Sequence, residues 1–304
     1  MPSLVNKPRV ASIDFGTNTF HALIVSFGEK ESLQIIQKKR WFVFLDRAED
    51  EDIIPAALIR AMEVANEITA FLNAYEVKEV YAVGTEVFRA KKNGRQLLAQ
   101  MSERIGADIE LIDGKLEAHL AYLGVNQLVN SSLHDYGLID VGGGSTEMIR
   151  IRQGVKSWDS SFKIGLSVIK QKVNYRDYLT SGMEQEMSRF LNDVLTEDKM
   201  IHFKGSRALV FNGGSAELFQ KVLSYEQAND FTQVFKTEAV LKLCHDWKYS
   251  SLDKRREAEW IPDQRKMLMP LFLAKVQYFI SRFKPIEVVY SSASIKEGLI
   301  FYKK

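Results

Sequence analysis

Short apolar runs that end in an aspartate and a glycine turn set the pattern of this chain. Residues 10–13 run apolar apart from Ser12, reach Asp14, break at Gly16 and its hydroxyl-bearing neighbours, and resume over 20–25. This predicts a strand, a tight turn and a returning strand. A third strand follows over 33–44. Over 56–75 the spacing becomes helical, with Leu58, Ile59, Met62, Ala65, Ile68, Phe71 and Leu72 on one face. The pattern then predicts a strand at 80–85, a helix over 93–105, a short strand at 109–112 and a helix over 115–128. The series restarts at 138–141, breaks at Gly142-Gly143-Gly144, and gives two further strands, the second over 155–162. Helices are predicted after Gly165 and over 183–194. A strand at 208–211 runs through Gly213-Gly214 into a helix over 216–223. Helices over 237–247, 254–259 and 263–283, a strand at 287–290 and a helix through 300, capped by the serines of 291–294, close the chain.

The central break carries the most chemistry. Asp140-Val141 leads into Gly142-Gly143-Gly144-Ser145-Thr146-Glu147-Met148-Ile149. Glycines let a ligand approach the amides closely. Ser145 and Thr146 add hydroxyl donors, and Asp140 and Glu147 add carboxylates. Together these groups suit a phosphate chain with its Mg2+ ion. Read alone, the stretch also fits an ordinary hairpin with a glycine bulge. The same motif recurs, however. Asp14-Phe15-Gly16-Thr17-Asn18-Thr19 stands about 125 residues earlier, and Asn212-Gly213-Gly214-Ser215 forms a third turn. Two such hairpins suggest a duplicated unit with one phosphate-binding turn in each half. Three antiparallel strands followed by α/β crossovers, given twice, make the actin-like plan. The expected fold is therefore α/β, with two actin-like (ribonuclease H-like) domains, 1–124 and 125–304, and an interdomain cleft as the site.

Composition narrows the class further. At 304 residues two domains are the natural expectation. The net charge of +2, with no long single-sign tail, argues against nucleic acid as the partner. Cys244 is the one cysteine, which excludes an internal disulfide and fits a reducing cytoplasm. The start of the chain lacks the pattern of a signal peptide. No apolar run reaches the roughly 18 residues of a membrane span, so no membrane association is expected. The acidic run Glu49-Asp50-Glu51-Asp52 precedes a helix and complements its dipole, so it is not assigned to a metal. A two-fold homodimer is the default assembly.

Two further residues stand where chemistry is plausible. Arg89 follows the C-terminal end of the strand at 80–85, the edge where open α/β sheets bind ligands; a surface salt bridge explains it equally well. Glu117 lies in the first turn of the helix at 115–128, where an acid also serves as a dipole-compatible surface residue. His119, two positions on, points away from it.

Taken in order, these stretches resemble the exopolyphosphatase and guanosine pentaphosphate phosphohydrolase (Ppx/GppA) family. The resemblance rests on Ile13 to His21, on Gly84-Thr85 with Arg89 and Asn93, on Ile112 to Ala118, on Ile139 to Glu147, on Asn212 to Ser215 and on Ser294 to Leu299. It spans essentially the whole chain as the family's two-domain core. His119 and Lys296 depart from the arginines usual in the family, and a lysine keeps the charge but not the bidentate fork. The resemblance implies release of terminal phosphate from inorganic polyphosphate or guanosine pentaphosphate. Glu117 would activate water, and Arg89 would offset charge on the transferring group. Asp14, Asp140 and Glu147 would hold Mg2+ (or Mn2+). Gly16, Thr17, Asn18, Thr19, Gly142, Gly143, Gly144, Ser145, Thr146, Gly213, Gly214 and Ser215 would bind phosphate. Lys163 and Lys296 would extend the anion track, or serve as ordinary surface lysines. An actin-like small-molecule kinase or ATPase, and a non-catalytic polyphosphate or alarmone sensor, are the competing readings.

Overall fold

The computed structural model describes residues 8–28, 33–45, 50–129, 133–223, 226–229 and 231–304; Glu49 of the acidic run lies outside them. The chain divides into two compact units, 1–123 with 295–304, and 124–294.

The first unit starts with β1 (Val10–Phe15), β2 (Thr19–Phe27) and β3 (Leu33–Phe42), an antiparallel meander. Helix α1 (Pro55–Ala74) then leads to β4 (Glu79–Gly84), the short α2 (Glu86–Ala90), α3 (Gly94–Ile105), β5 (Ile109–Leu111) and α4 (Gly114–Leu128), whose last residues count to the second unit. Strands β1, β4 and β5 are parallel, giving the order β3-β2-β1-β4-β5. Pro55 opens α1, where its missing N–H costs nothing. The buried stripe Ala57, Ala61, Val64, Ala65, Ile68, Phe71 and Leu72 then packs the helix onto a core with Ile13, Phe15, Phe20 and Phe88.

The second unit repeats the plan. It contains β6 (Tyr136–Val141), β7 (Thr146–Arg152), β8 (Val155–Phe162), α5 (Leu166–Lys172), α6 (Ser181–Val194), α7 (Glu197–Met200) and β9 (Ala208–Asn212). After these come α8 (Leu218–Val222), β10 (Glu226–Asn229), β11 (Thr232–Lys236), α9 (Thr237–Trp247), α10 (Leu252–Glu257), α11 (Asp263–Lys266), α12 (Met269–Phe283) and β12 (Glu287–Ser291), and the chain ends in α13 (Ile295–Lys303) of the first unit. The sheet order is β10-β11-β12-β9-β6-β7-β8. Its part β8-β7-β6-β9-β12 matches β3-β2-β1-β4-β5 strand for strand, with the same antiparallel and parallel pairings. The duplication expected from two Asp-x-Gly turns is thus present in the backbone.

Besides the short helices α2 and α7, where the pattern predicts none, three features differ from the expectations of the sequence. Hairpin β10–β11 widens the second sheet, antiparallel to β12, where the pattern predicts no strand. The helix expected over 263–283 is broken into α11 and α12, because Pro270 in the first turn of α12 has no N–H to continue the ladder from α11. The closing helix α13, expected in the domain 125–304, belongs to the first unit. Its Ile300 clusters with Val10, Leu23 and Val25 of β1 and β2. Ser12 Oγ on β1 donates to the carbonyl of Lys296 at 2.5 Å, and Lys38 on β3 pairs with Glu297 at 3.0 Å. No helix of the described residues is long and apolar enough to cross a membrane.

Candidate active site

In the first unit the candidate residues gather at the C-terminal ends of the parallel strands. Asp14 stands one residue before the end of β1. The following turn closes with Gly16 N–H donating to the carbonyl of Thr19 at 3.0 Å. The chain beyond β3 straps this turn from outside. Val43 and Phe44 donate to the Asn18 carbonyl at 2.9 and 3.2 Å, and Leu45 donates to that of Thr17 at 2.9 Å. Thr17 is buried, and Thr19 Oγ1 lies 2.9 Å from His21 Nε2.

Arg89 and Glu117 come together here. Asp113 caps α4 by accepting from Leu116 N–H at 2.8 Å, which sets Glu117 in the first turn. Arg89 closes α2, and its guanidinium reaches Glu86 Oε2 at 2.8 Å and Glu117 Oε2 at 3.1 Å, with a third bond to the Ile112 carbonyl. Burial disfavours the Arg89 charge, but Glu117 and Glu86 outweigh it and hold its pKa above the ordinary value. His119 packs instead against tyrosine rings, 6.2 Å from Tyr122 and edge-on to Tyr302 at 6.0 Å. Lys296 is nearly buried, and its ammonium donates to Glu297 Oε2 at 3.0 Å. Glu297 is thereby held between Lys296 and Lys38.

In the second unit the glycine loop between β6 and β7 lies against the start of α5. Gly165, Leu166 and Ser167 donate their N–H groups to the carbonyls of Gly144, Gly142 and Gly143 at 3.1, 3.0 and 2.9 Å. With the carbonyls turned to the helix start, the amides of Gly143 and Gly144 donate to no protein acceptor among the described residues. Successive amides left open in this way can receive an anion. The turn after β9 approaches from the neighbouring strand. In the pairing of β6 with β9, Asp140 lies opposite Asn212. Gly213 has φ +84, and a Cβ there would stand 3.1 Å from Asp140 Oδ1, so both backbone and space demand glycine. Lys163 is exposed between β8 and α5.

A family model described as the Ppx/GppA phosphatase family matches residues 24–304. The chain belongs to the Ppx/GppA phosphatase family. Among curated relatives, the guanosine-5'-triphosphate,3'-diphosphate pyrophosphatase of Vibrio cholerae is 22% identical over 99% of this chain. The chain spans 60% of that relative's length. Among solved structures, an exopolyphosphatase from Cytophaga hutchinsonii superimposes with a TM-score of 0.89 at 22% identity, covering 97% of each chain. The Aquifex aeolicus Ppx/GppA family member gives 0.77 at 21% identity, again over 97% of each. At these identities the structural likenesses establish the actin-like α/β fold.

The carboxylates that the Ppx/GppA resemblance assigns to a metal differ in what they can do. Mg2+ takes oxygen ligands, keeps several waters and commonly uses one or two carboxylates beside substrate phosphates. Among the described residues no group of three or more His, Cys, Asp or Glu is placed to hold a metal ion. Asp140 fits the one-or-two-carboxylate mode. Beside it Asn212 donates Nδ2–H to the Ala293 carbonyl at 3.1 Å, and its Oδ1 is buried without a hydrogen-bond partner among the described residues. A hard oxygen thus lies next to a carboxylate. Asp14, half-buried at its own strand end, fits likewise. Glu147 does not. It is 2% exposed, and Ser161 Oγ donates to it at 2.8 Å. Burial pushes the Glu147 carboxyl up, against hydrogen bonds from Ser161 and Ser145 and the charge of Lys275. Burial also pushes the Lys275 ammonium down to about 7, against the pull of Glu147.

Lys275 is the site residue that sequence reasoning misses, since it reads as one polar position in a buried helix. A lone lysine amid the buried run 271–276 of α12 is its one signal. Cys244 is buried on α9, and burial pushes its thiol up to about 12 despite nearby Lys248. It is expected to resist an aromatic disulfide reagent in the native protein and to react once in denaturant; rapid labelling of the native chain would contradict this burial.

Proposed function

We propose that this chain hydrolyses the terminal phosphoanhydride bond of a polyphosphate chain, inorganic polyphosphate or guanosine pentaphosphate. The observation that carries the reading is Glu117, buried in the first turn of α4 and oriented by Arg89 at 3.1 Å. A carboxylate so fixed can take the proton of an attacking water. Arg89 lies beside it to offset the charge of the transferring phosphoryl group. In the second unit the bare amides of Gly143 and Gly144 and the hydroxyl of Ser145 bind phosphate oxygens, with the 213–215 turn beside them. In the first unit Thr17 and the rest of the 16–19 turn do the same. Asp140, with Asn212 next to it, and Asp14 are the residues that would hold Mg2+ or Mn2+, which when bound would neutralise phosphate charge. Of the two lysines, exposed Lys163 suits a long anion better than Lys296, whose ammonium is committed to Glu297. The names of the relatives, a guanosine-5'-triphosphate,3'-diphosphate pyrophosphatase in Vibrio cholerae and an exopolyphosphatase in Cytophaga hutchinsonii, support the same substrate class.

The test is phosphate release from long-chain polyphosphate and, separately, from guanosine pentaphosphate, each with Mg2+. Release from at least one is expected, and the faster reaction names the substrate. Binding of both without release would replace this reading with a sensor. Phosphate transfer from ATP to a second substrate, without release from either, would replace it with a kinase.

A further inference from the structure

A charged group with no contact to solvent needs a reason. Lys275 is 0% exposed, on a face of α12 surrounded by Leu271, Phe272, Ala274 and Phe279, and burying an ammonium among such residues costs several kcal/mol unless it is paired and hydrogen-bonded. Its Nζ donates to Thr146 Oγ1 at 2.5 Å and to the carbonyl of Ile164. Both acceptors belong to the phosphate-loop assembly. Thr146, its Oγ1 occupied by the lysine, donates its own hydroxyl to the Ser145 carbonyl at 2.9 Å, which also accepts from Gly142 N–H at 3.1 Å. Ile164 precedes Gly165, whose N–H holds the Gly144 carbonyl at 3.1 Å. One ammonium therefore ties together the two segments between which the loop 142–145 is held, in a chain of hydrogen bonds that reinforce one another.

We propose that Lys275 is a positioning residue for the glycine loop, acting through Thr146 and the Ile164 carbonyl, and that Glu147, buried and accepting from Ser161, serves as a structural acceptor rather than as a metal ligand. The inference rests on the hydrolase reading only for the loop's role in turnover, since the hydrogen bonds of Lys275 are a property of the folded chain.

The experiment compares wild type with Glu147→Gln, Lys275→Met and the double variant Glu147→Gln/Lys275→Met. The readouts are melting temperature, amide hydrogen exchange of the 142–146 peptide, Mn2+ affinity by electron paramagnetic resonance, and kcat with KM on the better substrate. Lys275→Met is expected to melt earlier, because Thr146 and the Ile164 carbonyl lose their shared buried donor. The double variant is expected to melt no higher than Lys275→Met. In both, exchange of the loop speeds up and kcat falls roughly 10- to 100-fold, as for lost outer-shell partners of a site, because Thr146 has lost its donor. Mn2+ affinity in Glu147→Gln stays within about threefold of wild type, less than the roughly tenfold loss of a removed supporting group. A folded Glu147→Gln that no longer binds Mn2+ would restore the metal-ligand role and overturn the inference. Loop exchange and kcat that recover with the melting temperature in the double variant would reduce Lys275 to a structural counter-ion and overturn its positioning role. Wild type that releases no phosphate overturns the hydrolase reading alone, since exchange, melting and Mn2+ binding still judge the roles of Lys275 and Glu147.

Discussion

Glu117→Gln is expected to lower phosphate release at saturating substrate by roughly 10²–10⁴-fold, the usual contribution of a positioned general base. The substitution keeps the volume of the side chain and leaves an oxygen that can still accept from Arg89. Arg89 also retains Glu86 and the Ile112 carbonyl, so its charge is not stranded. The fold and the melting temperature are therefore expected to change little. Substrate affinity, measured by calorimetry with tripolyphosphate, is expected to persist, because Glu117 repels rather than attracts the phosphates. Loss of turnover with retained binding is the signature of a group that acts on water in the transition state. Turnover equal to wild type would remove Glu117 from the mechanism. Loss of binding together with turnover would make it a structural partner of Arg89.

Gly165→Ala is expected to be the most damaging single-methyl change in the chain. Gly165 has φ −62, a value any residue adopts, so the constraint is space. A Cβ there would stand 2.1 Å from the Gly143 carbonyl oxygen and 2.5 Å from the Gly144 carbonyl carbon, both backbone atoms of the phosphate loop. No side chain can swing aside to relieve that. Either the loop moves, breaking the three N–H bonds from the start of α5, or the helix does. Overpacking of this kind costs about 1–3 kcal/mol and occasionally more, with displacement of the Gly143 and Gly144 amides as the direct consequence. Thermal melting and kcat/KM should both fall. Gly182→Ala is the matched control: it lies at the start of α6, its Cβ would meet only Thr180 Oγ1 at 3.8 Å, and the change should stabilise by about 0.5–1 kcal/mol. A Gly165→Ala protein as active and stable as wild type would mean that the loop does not need its contact with α5.

Much of the site is legible in the sequence. The glycine turns announce themselves because a strand that must stop at a ligand needs small residues next to its last carboxylate, and that requirement is local. Arg89 and Glu117 are each legible as a charge at a strand or helix end. That they touch is not, because 28 residues and two elements, α3 and β5, separate them. Lys296 reads equally as a cation for the substrate or an ordinary surface lysine, and the fold buries it with its ammonium on Glu297. Hairpin β10–β11 escapes notice because its strands are short and its pairing with β12 is set by contacts far along the chain.

The sequence by itself determined the two-fold plan. The two Asp-x-Gly turns, the order of strands and helices, and the ordered motifs of the Ppx/GppA family all lie in residues close together along the chain. Hydrophobic period and turn chemistry depend on such neighbours alone. Only the tertiary structure decided which charges are spoken for. Lys275 meets Thr146 across 129 residues, Lys38 meets the Glu297 of the closing helix, and α13 joins the first unit instead of the second. A lysine on an apolar helix has the same local signature whether its ammonium reaches solvent or is buried. Where α12 packs against the sheet makes the difference, and the cost of burying a charge then requires the partners that the fold supplies.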